Sequence, residues 1–127
     1  MTTDEVQQII SYAYPKIQKY YGKGKLPFPK IDTSHRNTYA MHSGEPEAEG
    51  EHSSTSIAEY HTGTIYLYLP NITNEEELLR ALVHEYTHYT QDSTLFKRYK
   101  QMYSYDEDPT EIEARKNEKN WEMFSQK

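Results

Sequence analysis

The chain has 127 residues, a net charge of −6 and a mean hydropathy of −1.04, which suits one small domain. It contains no cysteine, so disulfides, thiolate zinc sites and cysteine nucleophiles are excluded. The longest apolar run is too short to span a bilayer, and the acidic first residues do not resemble a signal peptide. We therefore expect a single domain over residues 1–127 in the cytoplasm, with leaderless export left open.

Leucine, isoleucine, valine and phenylalanine together supply only 20 residues, which is few for a folded domain. The 13 tyrosines and one tryptophan add apolar surface, so we expect a tyrosine-rich interior with the hydroxyls facing water. An acidic chain with one mildly basic stretch, Lys16 to Lys30, is a poor nucleic-acid binder. Neither nucleic acid nor a membrane is an expected partner.

The first third of the chain predicts a helix followed by strands. Thr2-Thr3-Asp4-Glu5 is a capping sequence, Pro15 should kink or split the helix that follows, and Gly22 should end it. A connector over residues 22–29 leads to a short strand near residues 30–33. A second strand is expected at 38–42, and the acidic segment 43–52 is expected to be a mobile loop.

The remaining elements complete an α+β order. Residues 64–69 alternate in polarity and give the clearest strand. A helix capped by Thr73 or Asn74 should run at least to Thr90, or on to Lys100. After a loop over residues 101–109, a last helix is expected from Pro109 to about Phe124. Trp121 and Phe124 are expected in the core rather than folded into a substrate cleft.

The helix expected after residue 74 contains His84-Glu85-Tyr86-Thr87-His88, an HExxH motif. Residues four positions apart stack on one helix face, about 6 Å apart at Cβ, so both imidazoles can reach one zinc ion. Glu85 lies beside that face, where it can hydrogen-bond a metal-bound water without ligating the metal. The plainer interpretation, that both histidines only decorate a surface helix, is disfavoured because the motif lies within a well-capped amphipathic helix.

A catalytic zinc ion usually has three protein ligands, so a third must lie elsewhere in the chain. Glu111 is preferred because it opens the last helix, 23 residues beyond His88, which is enough chain to turn back antiparallel. Glu113 is its rival, but it lies about 200° further around the same helix. Glu107 and Asp108 are weaker alternatives because they belong to the preceding loop. The predicted metal site is His84, His88 and Glu111, with Zn²⁺ as the cofactor.

The HExxH motif followed by Glu111-Ile112-Glu113-Ala114 resembles the gluzincin branch of zinc metallopeptidases, and the short chain is similar to its smallest members, the minigluzincins. The resemblance covers roughly residues 63–118. It implies a zincin-like fold: an N-terminal helix, a small mixed or antiparallel sheet, the HExxH helix, and a C-terminal helix with the third ligand. It also implies a zinc metalloendopeptidase that hydrolyses peptide bonds through a metal-activated water, with Glu85 as general base.

The chain departs from that family at Arg115, where many gluzincins carry an aspartate that orients a ligating histidine. Losing such a partner typically costs 10–100-fold in metal affinity or activity, so another carboxylate replaces it or the site is weaker. A donor for the tetrahedral intermediate is also needed. Tyr103, Tyr105 and His61 stay open for that role.

Two alternatives compete with a general peptidase acting on peptide or protein substrates. One is a zinc-stabilised, non-catalytic module that binds a partner along the edge of strand 64–69, the strand that should receive an extended peptide. The other is a protease specific for one cognate regulator. The remaining histidines fit no metal-site spacing and are expected to be solvated: His35, His42, His52 and His61. Oligomeric state is not predicted.

Overall fold

The structure, a computed structural model, describes residues 1–33, 57–61 and 63–126. This part of the chain contains four α-helices and a small three-stranded sheet, which confirms the α+β class. The elements are α1 (Thr3–Tyr21), β1 (Lys30–Asp32), β2 (Ala58–His61), β3 (Thr64–Leu67), α2 (Glu75–Thr90), α3 (Ser93–Met102) and α4 (Pro109–Glu118). The strand expected at 38–42 and the loop expected at 43–52 lie outside the described residues.

Helix α1 begins as its sequence predicts and is not split at its proline. Thr2 accepts a hydrogen bond from the Glu5 backbone N–H at 3.1 Å, and the Glu5 side chain accepts one from the Thr2 backbone, which is a complete capping box. The helix runs through Pro15 without a break. It ends at Gly22, whose φ of 83° is a conformation that side chains with a Cβ rarely adopt.

Strand β3 is the central strand of the described sheet, so its prediction as the edge strand was wrong. It pairs in parallel with β1 and antiparallel with β2, in the order β1-β3-β2. The strand is also shorter than expected, because a 3₁₀ helix begins at Leu69 and contains Pro70, which cannot donate to a strand ladder. Among the described strands, β1 and β2 are therefore the two outer strands, and β2 is the one that runs antiparallel to β3.

Helix α2 ends at Thr90, as the sequence predicts, and the alternative of one continuous helix to Lys100 is wrong. Gln91 ends α2 and Asp92 starts α3, where its carboxylate accepts from the backbone N–H groups of Thr94 and Leu95 at 2.9 and 3.0 Å. The last helix, α4, stops at Glu118, and a 3₁₀ helix from Trp121 to Phe124 follows. Phe124 is buried in the core, as expected, and Trp121 packs against it partly buried.

The core lies between α1, the sheet and α2, and tyrosines occupy much of it. Tyr68 and Tyr86 are fully buried, which confirms the tyrosine-rich interior. The expectation that the hydroxyls face water was wrong for Tyr14, Tyr86 and Tyr89, since each donates to a backbone carbonyl of the connector 22–29. These bonds fasten the connector to the helices, because its carbonyls have no strand or helix to pair with.

Candidate metal centre

Helix α2 holds both histidines of the HExxH motif on a buried surface. Asn74 caps the helix by accepting from the Glu77 backbone N–H at 2.9 Å, and Glu75, Glu76 and Glu77 lie near the positive end of its dipole. The side of α2 that carries Leu82 and Val83 is fully buried in the core. His84 and His88 are 9% and 7% exposed, so they do not decorate a solvated helix face.

Helix α4 brings Glu111 to these histidines. Asp108 caps α4 through Oδ1, which accepts from the Thr110 backbone N–H at 2.9 Å and from its hydroxyl at 2.7 Å. Pro109 occupies the first turn, where its missing N–H costs nothing. The glutamate in this turn is only 5% exposed and faces α2.

The three predicted ligands meet around one carboxylate oxygen. Nε2 of His84 lies 2.9 Å from Oε1 of Glu111, and Nε2 of His88 lies 3.1 Å from the same oxygen. One ligand atom from each residue lies within 4.8 Å of the other two, and all three residues are buried. Two imidazoles and a carboxylate are the ligand set of an open catalytic zinc site, so the residues fit that ion.

The far sides of both imidazole rings are fixed by hydrogen bonds. Nδ1 of His84 lies 2.5 Å from Oε2 of Glu118, and Nδ1 of His88 lies 2.8 Å from Oε1 of Gln91. Gln91 is itself fixed, because its amide donates to the Thr110 carbonyl at 3.0 Å and to Glu113 at 2.8 Å. A proton on each Nδ1 leaves Nε2 as the ligating nitrogen, so the partners set the tautomer that a metal needs.

Glu118 supplies the carboxylate that the sequence lacks at position 115. It lies seven residues after Glu111, which is two helical turns and therefore the same face of α4. Arg115 is turned away from the centre and donates to the backbone carbonyls of Tyr105 and Asp106, at 3.4 and 3.0 Å. The departure at Arg115 therefore does not leave His84 without an acidic partner.

Charge is strongly coupled within the centre when no cation is bound. Burial would lower the pKa of His84, but its hydrogen bonds to Glu111 and Glu118 outweigh burial and raise the pKa to about 9. Burial would likewise raise the pKa of Glu111, yet hydrogen bonds from His84, His88 and Lys100 hold the pKa of this carboxyl far below its usual range. A proton on His84 thus takes part of the role that a cation would have.

Glu85 lies half-buried beside the centre without joining it. Burial raises the pKa of its carboxyl to about 7, although the neighbouring histidines and the backbone amide of Tyr60 act in the opposite direction. A carboxyl with a pKa near neutrality can both accept and return a proton at working pH. Its contact with Tyr60 also places it against the outer strand β2.

The rivals of Glu111 are placed elsewhere. Glu113 points to Gln91, Glu107 is exposed, and Asp108 is the helix cap. The three possible donors for a tetrahedral intermediate, Tyr103, Tyr105 and His61, lie in different surroundings. Burial and the charges of Glu111 and Glu118 raise the pKa of Tyr105, while the Arg115 guanidinium opposes the rise.

Tyr103 packs edge-to-face against Tyr99, with ring centres 5.7 Å apart. His61 lies 3.3 Å from the Glu59 carboxylate and lines a cleft of about 570 Å³ that opens beside His88. The other histidines considered for a second metal site, His35, His42 and His52, lie outside the described residues.

Sequence reasoning missed the partners around the ligands: Gln91, Lys100 and Glu118. Gln91 and Glu118 had a signal, because each follows a predicted ligand at a spacing that returns to the same helix face. No sequence signal pointed to Lys100, because it contacts Glu111 from a separate helix and local residue spacing does not predict how that helix packs.

Comparison with known proteins gives no match, since no family profile, characterised protein or solved structure is significantly similar to the chain. Over the described ranges, none of the helices has the length and apolar character needed to cross a bilayer. Function therefore has to be inferred from the chemistry of the centre.

Proposed function

We propose that the protein is a zinc-dependent metallopeptidase with a zincin-like fold. The observation that carries this proposal is the buried convergence of His84, His88 and Glu111, with Glu85 half-buried beside it. A zinc ion held by these three residues would supply Lewis-acid activation of water and of the scissile carbonyl. The order of the helices and the third ligand on α4 agree with the gluzincin resemblance.

Glu85 is the residue to which we assign proton transfer. Its carboxyl, with a pKa of about 7, accepts the proton of the attacking water and returns it to the departing amine. Glu85 directly follows His84 on α2, so it lies beside the three predicted ligands without being one of them. Its partial burial supports the role, because it raises the pKa of the base towards working pH.

The cleft beside β2 supports binding of a peptide substrate. Tyr60 and His61 of β2 line this cleft next to His88, together with Phe96 and Lys97 of α3. A peptide in the cleft would lie close to Glu85, because the Glu85 carboxyl contacts the Tyr60 backbone. This cleft therefore takes the role that the sequence assigned to the edge of residues 64–69.

Peptide cleavage by zinc-loaded protein tests the proposal. Zinc-loaded wild type and Glu85→Gln would be incubated with peptides prepared from a whole proteome, and new termini would be counted by mass spectrometry. We expect cleavage by the wild type and none by the variant, with equal zinc content in both. A binding module would give no new termini in either protein, and a protease for one regulator would cut only its cognate protein. Absence of cleavage by zinc-loaded wild type would contradict the general peptidase.

A further inference from the structure

Lys100, on α3, reaches into the metal centre from outside the two ligand helices. Its Nζ donates to Oε2 of Glu111 and lies 3.2 Å from Oδ2 of Asp108. The ammonium group also lies over the rings of Phe96 and Tyr105, 4.9 and 5.8 Å from their centres. Two carboxylates and two aromatic faces thus hold this side chain in one place.

The two oxygens of Glu111 are consequently divided between two tasks. Oε1 lies within 3.1 Å of Nε2 of both His84 and His88, whereas Oε2 is bonded to Lys100. A carboxylate with one oxygen held by an ammonium group has only the other free for a cation. Without that restraint, a carboxylate binds either through one oxygen or through both.

We propose that Lys100 is a positioning residue that makes Glu111 a ligand through a single oxygen. This inference rests on the proposed zinc site. With one oxygen from Glu111 and one nitrogen from each histidine, a bound zinc ion would have three protein ligands and could still take water or substrate. A second oxygen from Glu111 would occupy space in which those molecules must bind.

A purely structural role explains only part of the contacts of Lys100. None of the described residues of α3 is buried, and Lys100 contacts Asp108 and Glu111 rather than the apolar core. Asp108 caps α4 through Oδ1, and its buried Oδ2, which has no hydrogen bond among the described residues, faces the Lys100 ammonium group. Neutralising Asp108 is therefore one task of Lys100, and its contact with Oε2 of Glu111, a predicted ligand, is a second task that the helix cap does not explain.

Cobalt substitution tests this role without measuring activity, because the visible bands of Co²⁺ report the number of its ligands. The proteins compared are wild type, Lys100→Met, Lys100→Arg and Arg98→Met, each loaded with one equivalent of Co²⁺. Arg98 is a matched control, since it is a cationic residue of the same helix and is exposed. We expect Lys100→Met to lose about twofold or more of its visible molar absorbance as Glu111 adds its second oxygen. Arg98→Met should match the wild type, and Lys100→Arg should restore the bands because it keeps a cationic donor.

The outcomes separate this inference from the proposed function. Failure of the wild type to bind Co²⁺ or Zn²⁺ would refute the metal site itself. Metal binding by all four proteins with the same spectrum in Lys100→Met would overturn the role of Lys100 and leave the site intact. An equal loss in Arg98→Met would also overturn it. Far-UV circular dichroism verifies folding, and Lys100→Gln, which keeps a polar side chain, replaces Lys100→Met if that variant unfolds.

Discussion

Zinc binding at pH 7 should release about one proton from His84. The number of protons released depends on Glu118, because this carboxylate raises the pKa of His84. With its pKa raised to about 9, His84 carries a proton in about 99% of metal-free chains at pH 7. A metal ligand must be unprotonated at the ligating nitrogen, so zinc has to displace that proton. The two pH units between 7 and 9 weaken apparent zinc affinity by about 100-fold, or about 2.7 kcal/mol.

Replacing Glu118 with glutamine removes the charge 2.5 Å from Nδ1 while keeping an oxygen that can accept the same hydrogen bond. The pKa of His84 should fall towards the ordinary histidine value of 6.5. If it returned fully to that value, only about a quarter of the chains would carry the proton at pH 7. In Glu118→Gln, zinc binding should therefore release less than the one proton of the wild type, with about one quarter of a proton as the lower limit.

Isothermal titration calorimetry with zinc measures this release when it is repeated at pH 7 in buffers of different ionisation enthalpy. The slope of the observed heat against buffer enthalpy gives the number of protons. Glu122→Gln is a matched control, because it removes an exposed carboxylate beyond α4 and should leave the slope unchanged. A slope near zero in the wild type, or the same slope in Glu118→Gln, would refute the reasoning about His84.

Further predictions concern other contacts of the same helices. Gln91→Ala should weaken zinc affinity about 10–100-fold in a chelator competition, because His88 loses the acceptor at Nδ1; unchanged affinity would refute the role of that contact. Leu82→Ala, at a fully buried position of α2, should lower the free energy of unfolding in urea by about 2–5 kcal/mol. Asn74→Ala should cost about 0.5–2 kcal/mol in the same assay, because the cap of α2 is lost. The metal-free protein should become less stable in the same assay as pH rises from 6.5 to about 9. The pKa of His84 is about 9 in the folded protein and 6.5 ordinarily, so the proton on His84 stabilises the fold fully below pH 6.5 and this stabilisation is lost as pH rises to about 9.

The three predicted ligands could be chosen from the sequence because their positions depend on helix periodicity and helix capping, which involve only nearby residues. The four-residue spacing of His84 and His88 places them on one face of any helix, and Asn74 with the acidic first turn makes that helix a safe prediction. Pro109 marks the start of α4, so Glu111 could be chosen before any packing was known. These signals specify which residues face the centre without requiring the sheet.

What the sequence could not show depends on tertiary placement. The alternation of residues 64–69 predicts a strand but not that β3 would lie between β1 and β2. The tyrosine hydroxyls found backbone acceptors in the connector 22–29, and such pairings join residues far apart in the chain. Lys100 reaches Glu111 only because α3 breaks from α2 at Gln91. Helical periodicity alone gives no information about that break.

Zinc content per folded chain, measured for wild type and Glu111→Ala after loading and gel filtration, tests the central claim most directly. The buried cluster of His84, His88 and Glu111 predicts about one zinc ion per wild-type chain and a clear loss in the variant, because two imidazoles alone leave the site without its carboxylate. A wild-type protein that is folded and retains no zinc after loading, or a variant that retains as much as the wild type, would contradict the claim.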